Sequence, residues 1–199
     1  AHRGFSLNNY SDHIVNTLKK AGYTSALAGI QHVAAGENPW KTIGYARFLG
    51  PPDTAHETAS AQPEVDSESL VFLGYCFGGA SALEYLRTGA RIRGVISIHG
   101  GFDLLEQDWS AAVGGASVLL CTGADDPMAT PEQTVALQAA LSGAGFDWET
   151  DLYSDTVHAF TSLRAADSPA PHVFAYNQRS ARRAWASTCR FLGEVMPRS

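Results

Sequence analysis

The chain has 199 residues, 45% of them hydrophobic, which suits one globular domain, or one domain with a fragment of another. It carries 14 basic and 20 acidic side chains, so its formal net charge is −6 at pH 7. This acidic balance argues against nucleic-acid binding, which normally uses a basic face.

The cysteines stand at positions 76, 121 and 189, and no two of them form a C-x-x-C pair. The odd number and wide spacing disfavour a disulfide framework and a structural zinc site. We interpret the pattern as one reactive thiol and two buried thiols in a reducing compartment. The sequence has no signal-peptide pattern and no apolar run of the ~18 residues that a membrane span needs. We therefore expect a cytoplasmic protein that does not bind membranes.

The N-terminal third begins with one helix–strand unit. Apolar side chains recur at helical spacing within residues 10–20, and Ser11 is a candidate cap. Residues 23–28 are predicted to form a short strand. A short helix is predicted over residues 55–61, and a loop over residues 62–66.

The pattern becomes regular from Leu70 onward. Short apolar runs, typical of buried parallel strands, alternate with helical segments. Thr130 is a candidate cap for one helix, and Pro131 stands at its first position. The alternation predicts an α/β fold: a mostly parallel sheet with helices on both faces. The predicted strands cover residues 70–73, 94–98, 118–122 and 148–153, and the predicted helices cover residues 77–87, 131–142 and 176–195.

The first of these strand–helix junctions reads Gly74-Tyr75-Cys76-Phe77-Gly78-Gly79. Glycine–x–nucleophile–x–glycine at such a junction is typical of a nucleophile elbow, a strained turn whose neighbouring positions must be small. The N-terminus of the following helix favours a thiolate. We predict Cys76 as the nucleophile and the N–H of Phe77 as a donor to the developing oxyanion. The alternative is a structural cysteine beside a glycine-rich turn.

An acid and a histidine follow the nucleophile in the chain order of α/β-hydrolases. Asp126 lies in the loop after the third predicted strand, and its G-x-x-D spacing favours it over Asp125, which could instead cap the next helix. His158 lies in the loop after the fourth strand. We predict a Cys76–Asp126–His158 triad, with a loop aspartate and a loop histidine of structural role as the alternatives.

The remaining site predictions concern the pocket and the reaction. Tyr75, Phe77 and His99 are predicted to line the pocket. No H-E-x-x-H, P-loop or G-x-G-x-x-G motif is present, so we expect no metal and no cofactor. The triad predicts that the thiolate attacks a small ester or lactone and that water hydrolyses the acyl-cysteine.

Five motifs of the chain belong together: QPEVD (62–66), GYCFGG (74–79), SIHGGFD (97–103), TGADDP (122–127) and VHAF (157–160). From about residue 60 to the C-terminus they resemble the dienelactone hydrolase family. The resemblance implies cleavage of cyclic enol-lactones and related small esters in the cytoplasm, without a cofactor.

Three departures from that family are visible. Only 73 residues precede Gly74, fewer than the family normally has, so we expect a truncated α/β-hydrolase-like sandwich. The family's second oxyanion donor and its cysteine-activating glutamate have no identifiable counterpart. Where the family holds a substrate carboxylate with an arginine, Ser162 stands fourth after His158 and Arg164 sixth. Dienelactone itself is therefore not the expected substrate.

The first 55 residues follow another pattern: HRGFSLNNYS (2–11) and HIVNTLKKAGYTSALAGIQHV (13–33) are similar to the sulfatase family near its formylglycine site. The formylglycine motif and the calcium-binding aspartates are absent, so we expect no sulfatase activity. We predict a sulfatase-like helix–strand segment (1–55) joined to a dienelactone-hydrolase-like catalytic core (60–199), with the seam near residues 50–62.

Two other functions remain open at this point. The chain could be a catalytically silent α/β domain that keeps the triad without a complete oxyanion hole. It could also be a thiol-dependent transferase or redox protein, although no resolving cysteine lies near Cys76. An incomplete sheet would expose an edge strand, so a homodimer is a possible assembly.

Overall fold

A computed structural model of the chain describes residues 14–27, 41, 47–48, 55–63 and 65–196. The contacts within the chain divide it into two compact units, residues 1–67 and residues 68–199. Within the part of the chain that is described, no helix is both long and apolar enough to cross a bilayer.

The first unit contains short elements. Helix α1 (Ile14–Lys20) is followed by Gly22, whose φ of +89° lets the chain turn away without a Cβ clash. Strand β1 (Ala26–Leu27) pairs in parallel with β2 (Arg47–Phe48), and helix α2 (Ala55–Ser60) follows. The predicted helices are thus present in their described parts, and the predicted strand is shorter than expected. The candidate cap Ser11 lies outside the described residues.

The second unit is built on a parallel sheet of four strands that lie side by side in chain order. Every predicted strand and helix of this unit is present, with bounds within two residues of those expected. The strands are β3 (Val71–Tyr75), β4 (Gly94–Ile98), β5 (Ser117–Gly123) and β6 (Asp147–Tyr153), and the helices are α3 (Phe77–Arg87), α4 (Pro131–Gly143) and α5 (Gln178–Val195).

Helices cover both faces of this sheet, as predicted. On one face, buried leucines of α3 and α4 share a cluster with Val95, Val118 and Leu120. The alternate side chains of β4 and β5 point the other way, where α5 contacts both strands. There a Cβ on Gly94 would lie 3.2 Å from the ring of Phe191. Because both faces are covered, β4 is buried along its whole length.

The ends of the last two helices have different causes. Thr130 and Gln133 form a reciprocal capping box at the start of α4, with Pro131 in the first turn, as the sequence indicated. Helix α5 begins two residues later than predicted. The side chain of Asn177 accepts from the N–H of Ser180 and donates to the carbonyl of Asp155, which keeps Asn177 outside the helix as its cap.

Candidate active site

Cys76 lies in a strained turn between β3 and α3. Its φ of 53° falls in the left-handed region, which costs a residue with a Cβ about 1–3 kcal/mol. Its backbone N–H donates to the carbonyl of Ile98 at 3.1 Å and to Nδ1 of His99 at 3.2 Å. The C-terminal end of β4 therefore holds the strained residue in place.

The turn requires glycine at two of its three glycine positions. A Cβ on Gly74 would overlap the carbonyl of Gly78, and a Cβ on Gly79 would lie 2.5 Å from Oγ of Ser97. Both are contacts that real side chains do not make. Around Gly78, by contrast, nothing lies within 4 Å of an added Cβ. The expectation that the positions near the nucleophile must be small is therefore correct for Gly74 and Gly79 and wrong for Gly78.

The fold brings the three predicted triad residues together. His158 lies with Nε2 3.1 Å from Sγ of Cys76 and Nδ1 2.9 Å from Oδ2 of Asp126. The histidine is 0% exposed and the aspartate 3%. The three side chains come from the loops that follow β3, β5 and β6, which end at the same edge of a parallel sheet.

The loop after β5 distinguishes the two adjacent aspartates. The N–H of Met128 donates to Oδ1 of Asp126, which leaves the other carboxylate oxygen for the histidine. Asp125 is exposed, and its backbone N–H donates to the carbonyl of Thr156. Asp125 does not cap the following helix, because Thr130 does so.

The electrostatics of the site favour a charged cysteine–histidine pair. The hydrogen bond from His158 lowers the pKa of Cys76, against the opposing effect of burial, and the imidazolium charge and the N–H of Phe77 lower it further. Burial acts to lower the pKa of His158, but hydrogen bonds to Asp126 and Cys76 outweigh it and raise that pKa to about 9. A thiolate hydrogen-bonded to an imidazolium is a reactive nucleophile near neutral pH.

The three predicted pocket residues lie next to Cys76 in different ways. The side chain of Phe77 is 66% exposed, and that of Tyr75 is 36% exposed. His99 is buried behind the turn, with its ring 5.8 Å from that of Tyr75. Lining of a substrate pocket by these residues stays a prediction.

Several contacts of the site were not visible in the sequence. Nε2 of His99 lies 2.8 Å from Oγ1 of Thr161, which follows His158 in its loop. The ring of Phe174 packs edge-on against that of His158, and the N–H of His158 donates to the carbonyl of Val173. No sequence signal identifies these residues, because a loop brings each of them to the histidine only in three dimensions.

No metal site accompanies this arrangement in the described residues. Nowhere in the described ranges do three or more histidine, cysteine, aspartate or glutamate side chains come together as metal ligands could.

The chain is also similar to known proteins. The sequence pattern of the dienelactone hydrolase family matches residues 31–196. An uncharacterised protein of Caenorhabditis elegans is 26% identical over 144 residues, which cover 72% of this chain and 90% of the relative.

Solved structures of the same family are also similar. A dienelactone hydrolase-like promiscuous phosphotriesterase from metagenomic libraries is 33% identical over 72% of this chain, with a TM-score of 0.64. A candidate dienelactone hydrolase of Klebsiella pneumoniae is 21% identical over 74% of this chain, with a TM-score of 0.55. The chain covers 59% of the first structure and 62% of the second.

These matches correct one expectation. The sulfatase resemblance of residues 1–55 is not borne out, because the family match begins at residue 31, inside that segment. A helix followed by a strand recurs in most α/β proteins, so the resemblance rested on a generic pattern. The division into parts 1–55 and 60–199 stays a prediction.

Proposed function

The chain belongs to the dienelactone hydrolase family, and we propose that it hydrolyses small carboxylic esters or lactones with Cys76 as the nucleophile. One observation carries the proposal: an unbroken hydrogen-bond chain runs from Sγ of Cys76 through the ring of His158 to the carboxylate of Asp126. Each link has the length and the atom types that a nucleophile, a base and an orienting acid require.

The reaction follows from these contacts in two steps. In the first, the thiolate attacks the carbonyl carbon, and the N–H of Phe77 stabilises the negative oxygen. His158 gives its Nε2 proton to the leaving oxygen, so that an alcohol departs and an acyl-cysteine remains. In the second, His158 takes a proton from water, the hydroxide attacks the acyl group, and the acid and Cys76 are released. Asp126 stabilises the imidazolium and fixes the tautomer when the ring is neutral.

The side chains beside Cys76 favour an uncharged substrate. Tyr75 and Phe77, which flank the nucleophile in the chain, present aromatic surface to solvent. Ser162 replaces the arginine with which relatives hold a carboxylate, and Arg164 lies in an exposed turn (Leu163–Asp167). We therefore propose small neutral esters in preference to anionic lactones. The cytoplasmic location and a homodimer are proposed on sequence grounds alone.

The competing proposal is a silent domain that has the triad without a working oxyanion hole. It rests on the chain's partial coverage of the solved relatives, 59% and 62%. Loss of one oxyanion donor typically lowers kcat by about 10²- to 10³-fold. The two proposals agree on the reactivity of Cys76 and differ only on ester turnover.

One experiment separates them. Of the two cysteines expected to be buried, Cys121 is buried and Cys189 is exposed, so the expectation was wrong for Cys189. Hydrolysis of p-nitrophenyl acetate would therefore be followed during titration with iodoacetamide in a Cys189→Ala background. Alkylation of Cys76 should abolish turnover, and Cys76→Ala should be inactive from the start. If the unmodified protein is no faster than Cys76→Ala, the hydrolase proposal fails and the silent domain replaces it.

A second class of substrate can be tested in the same assay. The solved relative at 33% identity is described as a promiscuous phosphotriesterase, so phosphate triesters are a second candidate class for this chain. If alkyl esters competitively inhibit the hydrolysis of a p-nitrophenyl phosphate triester, that result would support attack on both substrates by the same cysteine. Turnover that persists in Cys76→Ala would exclude it.

A further inference from the structure

His99 is a buried, strained residue that the reaction above does not use. It follows the end of β4 with a φ of 40°, in the left-handed region, and is 3% exposed. A histidine tolerates that conformation only at a cost, which its surroundings must offset. The side chain has three kinds of contact that do so.

The first two contacts fix its tautomer. The backbone N–H of Cys76 can only donate, so Nδ1 of His99 must be the unprotonated acceptor at 3.2 Å. The proton of a neutral ring then sits on Nε2, which donates to Oγ1 of Thr161 at 2.8 Å. The ring thus connects the nucleophile turn to the loop that carries His158.

The third contact is with the catalytic imidazole itself. The rings of His99 and His158 pack edge-to-face with centroids 5.2 Å apart, and Phe160 packs against His99 at the same distance. Among the described residues, the titratable rings that pack against His99 are those of His158 and Tyr75. Burial, and secondarily the charge of His158, lower the pKa of His99 to about 3, which favours the neutral ring.

We propose that His99 is a positioning residue that sets the distance between Cys76 and His158 by tying the nucleophile turn to the histidine loop. This inference rests on the proposed function, since it assigns a role within that triad. The ring bonds to one side of the pair through a backbone N–H and to the other through Thr161, so it constrains both partners at once.

The turn has a second support, which makes the role testable. The N–H of Cys76 also donates to the carbonyl of Ile98. Removal of the imidazole therefore leaves one hydrogen bond on the turn, and we expect the protein to fold. What is lost is the connection to Thr161 and the fixed separation of thiolate and imidazolium.

Three variants in the Cys189→Ala background test this. His99→Phe keeps a ring and removes both hydrogen bonds. His99→Asn retains an acceptor where Nδ1 stands and loses the bond to Thr161. Thr161→Val removes only the acceptor for Nε2. For each, the pH midpoint of Cys76 alkylation by iodoacetamide would be measured, with kcat and KM for p-nitrophenyl acetate and the thermal midpoint as a check on folding.

The expected result is graded. His99→Phe should raise the alkylation midpoint by about one pH unit and lower kcat roughly 10- to 100-fold, with KM little changed, since misplacement of reacting groups by about 1 Å can have that effect. Thr161→Val should change the alkylation midpoint and kcat in the same directions by less. His99→Asn should have a midpoint and a kcat between those of wild type and His99→Phe. A folded His99→Phe variant with the wild-type midpoint and kcat would overturn the inference.

The outcomes keep the two proposals apart. If wild type lacks esterase activity but His99→Phe still raises the alkylation midpoint, the proposed hydrolysis fails and the positioning role stands. If wild type hydrolyses the ester and His99→Phe changes neither kcat nor midpoint, hydrolysis stands and the positioning role fails.

Discussion

Cys76 and Cys121 are two cysteines at different places of one sheet, the first in the turn after β3 and the second within β5. The pKa values of their thiols are shifted in opposite directions. Cys76 stands at the carboxyl edge, where the hydrogen bond from His158 lowers its pKa. Cys121 lies within β5 and is 1% exposed, and burial raises its pKa to about 12. The difference indicates that a histidine partner at a strand end, rather than the thiol itself, lowers the pKa of a cysteine.

The largest effect on this difference between the two thiols is expected from the loss of Asp126, whose carboxylate is hydrogen-bonded to His158. We expect Asp126→Asn to lower kcat for p-nitrophenyl acetate by about 10³- to 10⁴-fold, because the amide neither stabilises the imidazolium nor fixes the tautomer of the neutral ring. Steady-state kinetics at several pH values would measure it.

Asp151 offers the matched control, since it lies near the other thiol. Its carboxylate accepts from Tyr153 and Ser187, on the sheet face opposite α3 and α4. Asp151→Asn should leave kcat within about twofold of wild type. Equal losses in both variants would mean that Asp126 acts through general stability rather than through His158.

The turn at Cys76 can be tested through its own glycines. Gly74→Ala should destabilise the protein by several kcal/mol, roughly the cost of a severe backbone clash, because its Cβ would overlap the carbonyl of Gly78. Gly78→Ala should be neutral or stabilising by up to about 1 kcal/mol, because the site is open and alanine favours the helix. Urea denaturation would compare them, and equal destabilisation would contradict the turn geometry.

The smallest effect concerns Cys121 and pH. Its thiol stays neutral in the folded state while an unfolded thiol ionises near pH ~8.5, so its contribution is fully present below that pH and declines as pH rises. Between pH 8.5 and 10 we expect a loss of up to about 1.4 kcal/mol of unfolding free energy per pH unit from this residue. Cys121→Ala should flatten that decline in urea titrations, whereas an unchanged slope would assign it to other groups.

Much of the fold follows from local sequence rules. The bounds of α3 and β4 are those predicted, because glycines and polar turns delimit uninterrupted helical and apolar patterns there. Helix α5 begins later than predicted because Asn177 hydrogen-bonds to a loop over twenty residues earlier, which periodicity cannot register. The sulfatase interpretation was wrong for a related reason: a helix–strand pattern carries little family information.

The sequence by itself determined the chemistry on offer: a cysteine in a G-x-C-x-G turn, and an aspartate and a histidine each in the loop after a later strand. The alternation of strands and helices along the chain implied a parallel sheet, in which these loops meet at one edge. Only the tertiary structure decided the distances within the triad, the hydrogen bonds of the Asp126 carboxylate, and the place of His99 between Cys76 and Thr161. Those features depend on side-chain directions and loop paths, which long-range packing sets and local pattern does not.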